Sequence, residues 1–284
     1  MQKTSVVSTS GQQDKTREKI KHRMDKIQHK LIIISGKGGV GKSMIAVNLA
    51  YGLLFQGKTV GILDVDIHGP SLAKMVGVEN RQLRVLQDNV IEPIAITPSL
   101  KIITIASFLK DTDTPIIWRG PLKMKMINQF LGDVDWGKLD YLVIDSPPGT
   151  GDEPLSIIQL VPGLSGAIIV TTPQEIALLD SRKSVNFAKS LNVPVIGIIE
   201  NMSGLICPHC GGKIELFKMG GGEKAAQELE VPFLGRIPIE PAIVDSTDQG
   251  RPFIRAYGKT PTAKLMDEIV GEIIKRVENK IYSV

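Results

Sequence analysis

The sequence has only two cysteines among its 284 residues, few aromatic residues and a net charge of only +4. Cys207 and Cys210 lie too close together to crosslink a chain of this size, so we expect them to be reduced, metal-binding or redox-active. No apolar run reaches the ~18–20 residues that a transmembrane helix needs, and the N-terminus lacks the apolar core of a signal peptide. The low net charge gives no argument for nucleic-acid binding. We therefore expect a cytoplasmic protein without nucleic-acid or membrane partners.

Short apolar runs alternate with helical patterns through most of the chain. Alternation of this kind, with fully apolar strands, predicts an α/β fold: a doubly wound, mostly parallel sheet with helices on both faces. Residues 1–29 form a polar extension, which we expect to be disordered to about residue 18 and helical over 16–30, and residues 30–284 form one domain. Strands are predicted at 31–35, 59–66, 100–107, 141–149, 166–173, 195–201 and 233–238, and helices at 42–57, 175–190, 222–229 and 261–280.

The octet GKGGVGKS, residues 36–43, lies between the first strand and the first helix of the predicted domain. It fits both the dinucleotide pattern G-x-G-x-x-G and the P-loop pattern G-x-x-x-x-G-K-[ST]. Lys42 and Ser43 favour the P-loop, because ATP needs a cation at its β- and γ-phosphates and a hydroxyl ligand for Mg²⁺. Loop amides and the helix N-terminus bind phosphate oxygens. The predicted ATP-binding residues here are Gly38, Gly39, Val40, Gly41, Lys42, Ser43 and Met44.

The loop contains a second lysine, Lys37, which an ordinary P-loop does not need. A lysine this early points away from Lys42 and could reach phosphates bound by another subunit. The stretch KGGVGKS resembles the deviant Walker A motif of the family that includes MinD, ParA, the nitrogenase iron protein and the Mrp/ApbC iron–sulfur carriers. That resemblance implies that Lys37 reaches across a dimer interface and, with Lys42, serves catalysis.

Carboxylates lie toward the carboxyl ends of two of the predicted strands. Asp64 and Asp66 flank one residue in an extended segment and therefore point the same way. The resemblance to the family's first switch assigns Asp66 to positioning the attacking water, with Asp64 in support. Asp145 ends a buried strand as a Walker B aspartate does, and we predict a water-mediated Mg²⁺ ligand. The following SPPGTGD resembles the second switch, with backbone amides near Gly149 close to the γ-phosphate.

Two positions near the C-terminal strands are candidates for binding the adenine base. Asn201 ends the predicted strand at 195–201, where an amide side chain can read the base edge, although a turn-forming asparagine is an alternative. Related ATPases carry an asparagine near this place that contacts the base. Pro238, in RIPIEP, lies where members of the family enclose the adenine base, and it is a weaker candidate.

The two cysteines lie in CPHCGG, residues 207–212, shortly after Asn201 and thus on the nucleotide side of the sheet. A C-x-x-C pair places two sulfurs on one ion or cluster, as in zinc and iron–sulfur sites. A thioredoxin-type pair is less favoured, because Gly-Gly after Cys210 does not begin a helix. His209, between the two cysteines, is expected to point away. If nucleotide binding pairs two subunits, two-fold symmetry brings four thiolates together at the interface.

These motifs, with WRGP, DVDIHGPS, DSPPGTGD, TTPQEIALLD and RIPIEP, closely resemble the Mrp/ApbC group of P-loop proteins from about residue 30 onward. The resemblance implies an ATP-hydrolysing homodimer that holds a [4Fe–4S] cluster between its C-x-x-C pairs. It also implies apo iron–sulfur proteins as clients, and scaffold or donor proteins as the cluster source. The additional N-terminal domain or four-cysteine motif of some relatives is missing here, so we expect no second stable cluster.

Three alternatives remain open. A MinD- or ParA-like positioning ATPase leaves the cysteines without a role, and MinD-type proteins end in a membrane-binding helix. The C-terminal pattern of Leu265, Ile269, Ile273 and Val277 has a polar face of mixed charge, which favours packing on the sheet. In a redox ATPase like the nitrogenase iron protein, the cluster ligands come singly from distant places. The third alternative is a Zn²⁺ site, and only the family resemblance favours iron–sulfur over zinc.

Overall fold

The computed structural model describes residues 8–66, 71–108, 120–207, 209–210 and 212–281. Within these residues the strands are β1 (Ile27–Ile34), β2 (Val60–Asp64), β3 (Arg84–Val85), β4 (Ile91–Glu92), β5 (Ile94–Thr97), β6 (Leu100–Thr104), β7 (Leu139–Asp145), β8 (Gly166–Thr171), β9 (Val195–Ile206), β10 (Lys213–Ile214) and β11 (Phe233–Ile239). The α-helices are α1 (Ser8–Met24), α2 (Lys42–Phe55), α3 (Leu72–Met75), α4 (Gly120–Gly132), α5 (Asp152–Leu160), α6 (Glu175–Ser190), α7 (Gly221–Glu228), α8 (Pro241–Asp248), α9 (Phe253–Ala256) and α10 (Pro261–Glu278).

One sheet of nine strands organises the described part of the chain, in the order β10-β9-β8-β1-β7-β2-β6-β5, with β11 also paired to β9. All neighbours from β11 through β9, β8, β1, β7 and β2 to β6 are parallel. The two remaining strands, β5 and β10, are antiparallel to their neighbours. The predicted fold class is therefore confirmed, and each of the predicted strands belongs to the parallel part.

Alternate residues of the central strand β1 enter two separate hydrophobic cores. Leu31 and Ile33 pack in a core with α2 and α10, whereas Ile32 and Ile34 pack in a core with α1 and α4. All four side chains are fully buried. Because successive side chains of a strand point to opposite faces, a run of four aliphatic residues is what a strand covered by helices on both sides requires.

The N-terminal extension is more ordered than its polar composition suggested. Helix α1 reaches back to Ser8, and its residues Ile20 and Met24 are buried against the face that includes α4. The sheet begins at Ile27, which pairs with Leu139, so the predicted helix over 16–30 ends early and the predicted domain boundary at residue 30 falls inside β1. Buried Lys30 donates hydrogen bonds to the Met24 and Ile27 carbonyls at 3.2 and 3.0 Å, which ties the end of α1 to the strand.

The C-terminal helix α10 packs on the sheet as predicted. Ile269, Ile273 and Val277 are buried in the same core as α2, whereas Leu265 remains 40% exposed. The Thr260 side chain caps the helix by accepting a hydrogen bond from the Ala263 amide at 3.2 Å. Of the helices in the described residues, none is both long and apolar enough to cross a bilayer.

Burial of Met24 generates a test of the packing of α1. Met24 is 0% exposed, so Met24→Ala should lower the free energy of unfolding by about 2–5 kcal/mol. The exposed Lys21 on the same helix serves as control, and Lys21→Ala should change it by less than about 0.5 kcal/mol. Urea denaturation followed by circular dichroism measures both. Equal effects of the two substitutions would contradict packing of α1 on the domain.

Candidate functional site

The loop between β1 and α2, which we call the phosphate loop, has a geometry that suits phosphate binding. Gly39 and Gly41 adopt left-handed backbone conformations, with φ of 80° and 84°, which side chains with a Cβ rarely tolerate. A Cβ added at Gly38 or Gly39 would meet no atom within 4 Å, so these residues face open space. A Cβ at Gly36 would lie 2.4 Å from the Asp180 backbone, so the loop also packs closely on α6. Loop amides and the start of α2 can thus bind phosphate oxygens.

Lys42 lies at the centre of a buried cluster of charges at the carboxyl ends of β2 and β7. Its Nζ is 2.6 Å from Asp145 Oδ1 and 3.6 Å from Asp66 Oδ2, and the Lys42 side chain is only 6% exposed. A buried ammonium needs compensating partners, and these carboxylates supply them. A phosphate that binds Lys42 therefore competes with Asp145 and Asp66 for the same cation.

Asp64 lies in register with Asp145 on the neighbouring strand and is fully buried. Its Oδ2 accepts a hydrogen bond from Thr104 Oγ1 at 2.7 Å, and its Oδ1 accepts one from the Asp66 amide at 3.1 Å. Burial, together with the Asp145 charge, raises the pKa of Asp64 to about 8. Asp145 is the partner of Lys42, so of the two carboxyls Asp64 is the one that keeps a proton at neutral pH.

The residues predicted to hold Mg²⁺ meet at this place. Ser43 is the second residue of α2, directly after Lys42, and its hydroxyl is close enough to hydrogen-bond to Asp145. The other carboxylate oxygen, Asp145 Oδ2, is buried and accepts no hydrogen bond within the described part of the chain. Oxygen ligands and metal-bound water are what Mg²⁺ prefers, so the donor set fits this ion.

Lys37 is directed away from the buried cluster. Its Nζ donates to Gln174 Oε1 at 3.4 Å, in the segment that leads into α6. Gln174 was not among the predicted site residues, because the sequence offers no signal for its contact with the loop. This contact holds the Lys37 side chain at the beginning of α6, and its reach across a dimer interface stays a prediction.

The second-switch segment lies against the phosphate loop. The Gly149 amide donates to the Ser35 carbonyl at 2.7 Å, and Ser146 Oγ donates to the Ile33 carbonyl at 2.7 Å. Gly149 has a φ of 91°, in the region that favours glycine. Residues 67–70 of the predicted first switch, and Trp118 and Arg119 of WRGP, lie outside the described residues.

Asn201 contacts the phosphate loop. Its Nδ2 donates to the Val40 carbonyl at 2.9 Å, and a Cβ added at Gly41 would lie 2.2 Å from the same nitrogen. Asn201 is 2% exposed and its amide supports the loop, while its contact with adenine stays a prediction. Pro238, the second candidate, is half-buried in β11.

The cysteine pair lies beyond the end of β9. This strand continues to Ile206, five residues past its predicted end, and pairs there with β10. The Cys207 amide donates to the Gly212 carbonyl at 2.9 Å and closes the loop over residues 207–212, which we call the cysteine loop. Backbone amides of Cys210 and His209 donate to the Cys207 sulfur and lower the pKa of this thiol. Cys207 is half-exposed and Cys210 exposed, and no third histidine, cysteine or carboxylate completes a metal site within the described residues.

Sequence reasoning missed two polar residues that organise the site. Thr104 ends β6 and holds Asp64. Glu200 directly follows the apolar residues of β9 and is fully buried. Both are polar residues at the end of an apolar strand, a signal that was used for Asp145 and applies equally to them.

The Asp64 carboxyl generates a prediction on stability and pH. Its pKa of about 8 lies above the ordinary value of 3.8, so the bound proton stabilises the folded state fully at low pH. This contribution is lost as the pH rises from about 4 to about 8. Without nucleotide and Mg²⁺, Asp64→Asn should therefore gain stability over wild type by on the order of a few kcal/mol between pH 5 and pH 8.

Chemical denaturation across this pH range, with EDTA present, measures the difference. Asp267→Asn, an exposed substitution on α10, is the matched control and should follow wild type. Parallel curves for wild type and Asp64→Asn would contradict the assignment of the proton to Asp64.

Comparison with known proteins agrees with this geometry. A family profile described as ParA, NUBPL iron-transfer P-loop NTPase matches residues 26–274. An iron-sulfur cluster carrier protein of Methanocaldococcus jannaschii is 52% identical over 262 residues, or 92% of this chain and 89% of that protein. A protein of the same description from Saccharolobus solfataricus is 46% identical, over 92% of this chain and 88% of the other.

Two solved structures are similar in fold. A nucleotide-binding protein of Archaeoglobus fulgidus, solved in complex with ADP and with cobalt found in it, aligns with a TM-score of 0.74 and 38% identity over 87% of this chain and 95% of the other. The cell division ATPase MinD of Pyrococcus furiosus aligns with a TM-score of 0.61 and 22% identity over 87% and 99%, which supports the fold alone. The chain therefore belongs to the ParA-type family of NUBPL iron-transfer P-loop NTPases, as its motifs predicted.

Proposed function

We propose that this protein is an ATP-dependent iron–sulfur cluster carrier that acts as a homodimer and passes a shared [4Fe–4S] cluster to apo-proteins. The observation that carries the proposal is the position of Cys207 and Cys210 at the nucleotide edge of a P-loop sheet. The carrier description of relatives up to 52% identical supports it.

The two thiols of one chain make half of a cluster site. A four-iron cluster takes four thiolates, and within the described residues no further group of metal ligands joins the pair. A second copy related by two-fold symmetry supplies the other two cysteines. Exposure of Cys210 and the lowered pKa of Cys207 favour thiolate ligands that are accessible to both cargo and client.

Exposed apolar residues near the cysteine loop support pairing of two copies at this face. Ile176 and Leu179 of α6 are 70% and 61% exposed, and Leu216 and Met219, after the cysteine loop, are 58% and 40% exposed. Leu179 and Met219 line one groove of about 430 Å³. Apolar groups concentrated at one place favour burial in an interface, and α6 follows directly after Gln174, the residue that holds Lys37.

The buried charge cluster supports ATP hydrolysis. On nucleotide binding Lys42 exchanges its carboxylate partners for the β- and γ-phosphates, and Lys37 leaves Gln174 for the nucleotide of the partner subunit. Ser43 would hold Mg²⁺ directly and Asp145 would hold it through water, and the ion would supply positive charge to offset that of the phosphates. Asp66, released from Lys42, orients the attacking water.

Metal analysis tests the cargo. After anaerobic reconstitution with iron and sulfide, we expect about two iron and two sulfide per protomer, since two chains share four of each. Cys207→Ala and Cys210→Ala should both lose the cluster, whereas Lys26→Ala, an exposed substitution far from the loop, should retain it. About half a zinc per protomer and no iron would instead indicate a structural zinc site in a MinD-like positioning ATPase.

Variants of the nucleotide site test the role of ATP. Lys42→Ala and Asp66→Ala should assemble the cluster at wild-type stoichiometry, because the cysteines are intact, yet fail to support transfer to apo-proteins in cells. Lys42→Ala should also lose nucleotide binding, which equilibrium titration with a fluorescent ATP analogue measures. Normal transfer by a variant that binds no nucleotide would contradict the coupling of ATP to delivery.

A further inference from the structure

Two adjacent residues of β9 connect the phosphate loop with the cysteine loop. Glu200 and Asn201 are 0% and 2% exposed, and both carry side chains that are costly to bury without partners. Successive residues of a strand point to opposite faces, and the two side chains contact different parts of the molecule. Asn201 hydrogen-bonds to the Val40 carbonyl of the phosphate loop at 2.9 Å.

Glu200 holds both ends of the segment that contains the cysteines. Its carboxylate accepts hydrogen bonds from Ser203 Oγ, before Cys207, and from the Gly220 and Gly222 amides, at the beginning of α7. Arg236 Nε of β11 lies 3.6 Å from the same carboxylate. Hydrogen bonds to a buried charge are among the stronger ones in proteins, so the base of the loop depends on this one side chain.

The strand between these contacts and Cys207 is irregular. Asn201 pairs with Ile237, and Leu205 pairs with Ile239, so three residues of β9 lie opposite one residue of β11. That one residue is Pro238, which has no amide to donate. Met202 has a φ of 57°, a strained conformation for a residue with a Cβ. A bulge bends its strand and increases the local twist, so the geometry of this segment sets the direction in which β9 enters the cysteine loop.

We propose that Glu200 and Asn201 are positioning residues that transmit nucleotide occupancy of the phosphate loop to the geometry of the cysteine loop. The inference rests on the proposed function and names the route by which ATP acts on the cluster site. Phosphate binding changes the loop geometry around Val40, Asn201 carries this change into β9, and Glu200 carries it to both ends of the loop that holds Cys207. Two geometries of the cysteine loop differ in free energy. The coupling free energy is the change in that difference when nucleotide binds.

Thiol reactivity is a direct readout, because the chain contains only two cysteines, both in this loop. We would measure alkylation of the reduced, metal-free full-length protein by iodoacetamide, using intact mass, with and without saturating Mg²⁺ and a non-hydrolysable ATP analogue. Wild type should change its alkylation rate at least about fivefold, the lower end of typical coupling between sites. Glu200→Gln should bind the nucleotide as wild type does and lose the rate change.

Two further variants make the test specific. Glu228→Gln neutralises a carboxylate at the far end of α7 that pairs with Arg182, and it should keep the full response. Ser203→Ala removes one donor to Glu200 and should reduce the response even if Glu200→Gln fails to fold. A full response in both Glu200→Gln and Ser203→Ala, or loss of nucleotide binding in Glu200→Gln, would overturn the proposal.

Failure of this inference is distinguishable from failure of the proposed function. A wild-type protein that assembles the bridging cluster and binds nucleotide, but alkylates at one rate in both states, refutes the coupling route and leaves the carrier function standing. A wild-type protein that binds no nucleotide or assembles no cluster refutes the proposed function itself, and the coupling inference with it.

Discussion

The parallel register of β1, β7 and β2 is the constraint on which the site depends. This register places Asp64 beside Asp145 and brings Asp145 next to Lys42 at the beginning of α2. Parallel strands end at the same edge of a sheet, so every loop that follows a carboxyl end is collected there. The phosphate loop, the second switch and the cysteine segment all share this edge because β1, β7 and β9 are parallel members of one sheet.

The burial of charged groups explains the ion pairs that the structure shows around Lys42. Two carboxylates, Asp145 and Asp66, compensate the charge of Lys42, and burial beside Asp145 raises the pKa of Asp64. In the proposed function, phosphate oxygens and Mg²⁺ replace these partners when nucleotide binds. The isolated chain therefore forms a compensated ion cluster rather than an unpaired buried cation.

The long strand β9 connects the phosphate loop with the cysteine loop. It carries Asn201 against the phosphate loop, and after a bulge it supports the loop with Cys207. The exposed thiol pair at the nucleotide edge does not form a complete metal site by itself, because nothing in the described residues completes its ligand set. The second copy that we propose at this face would complete the ligand set and cover the apolar residues exposed around it.

The local sequence pattern was sufficient to predict the phosphate loop and the parallel strands. Glycine spacing and continuous apolar runs are properties of neighbouring residues and can be read directly along the chain. The short antiparallel strands β5 and β10 were not predicted, since two to four residues carry no reliable periodicity. The tertiary structure alone decided that Asn201 supports Val40, a residue 161 positions away, and that Glu200 closes the cysteine loop. A sequence by itself determines which side chains are available and on which strand they lie. Their partners depend on which distant segments the sheet brings together, because a hydrogen bond is formed in space and not along the chain.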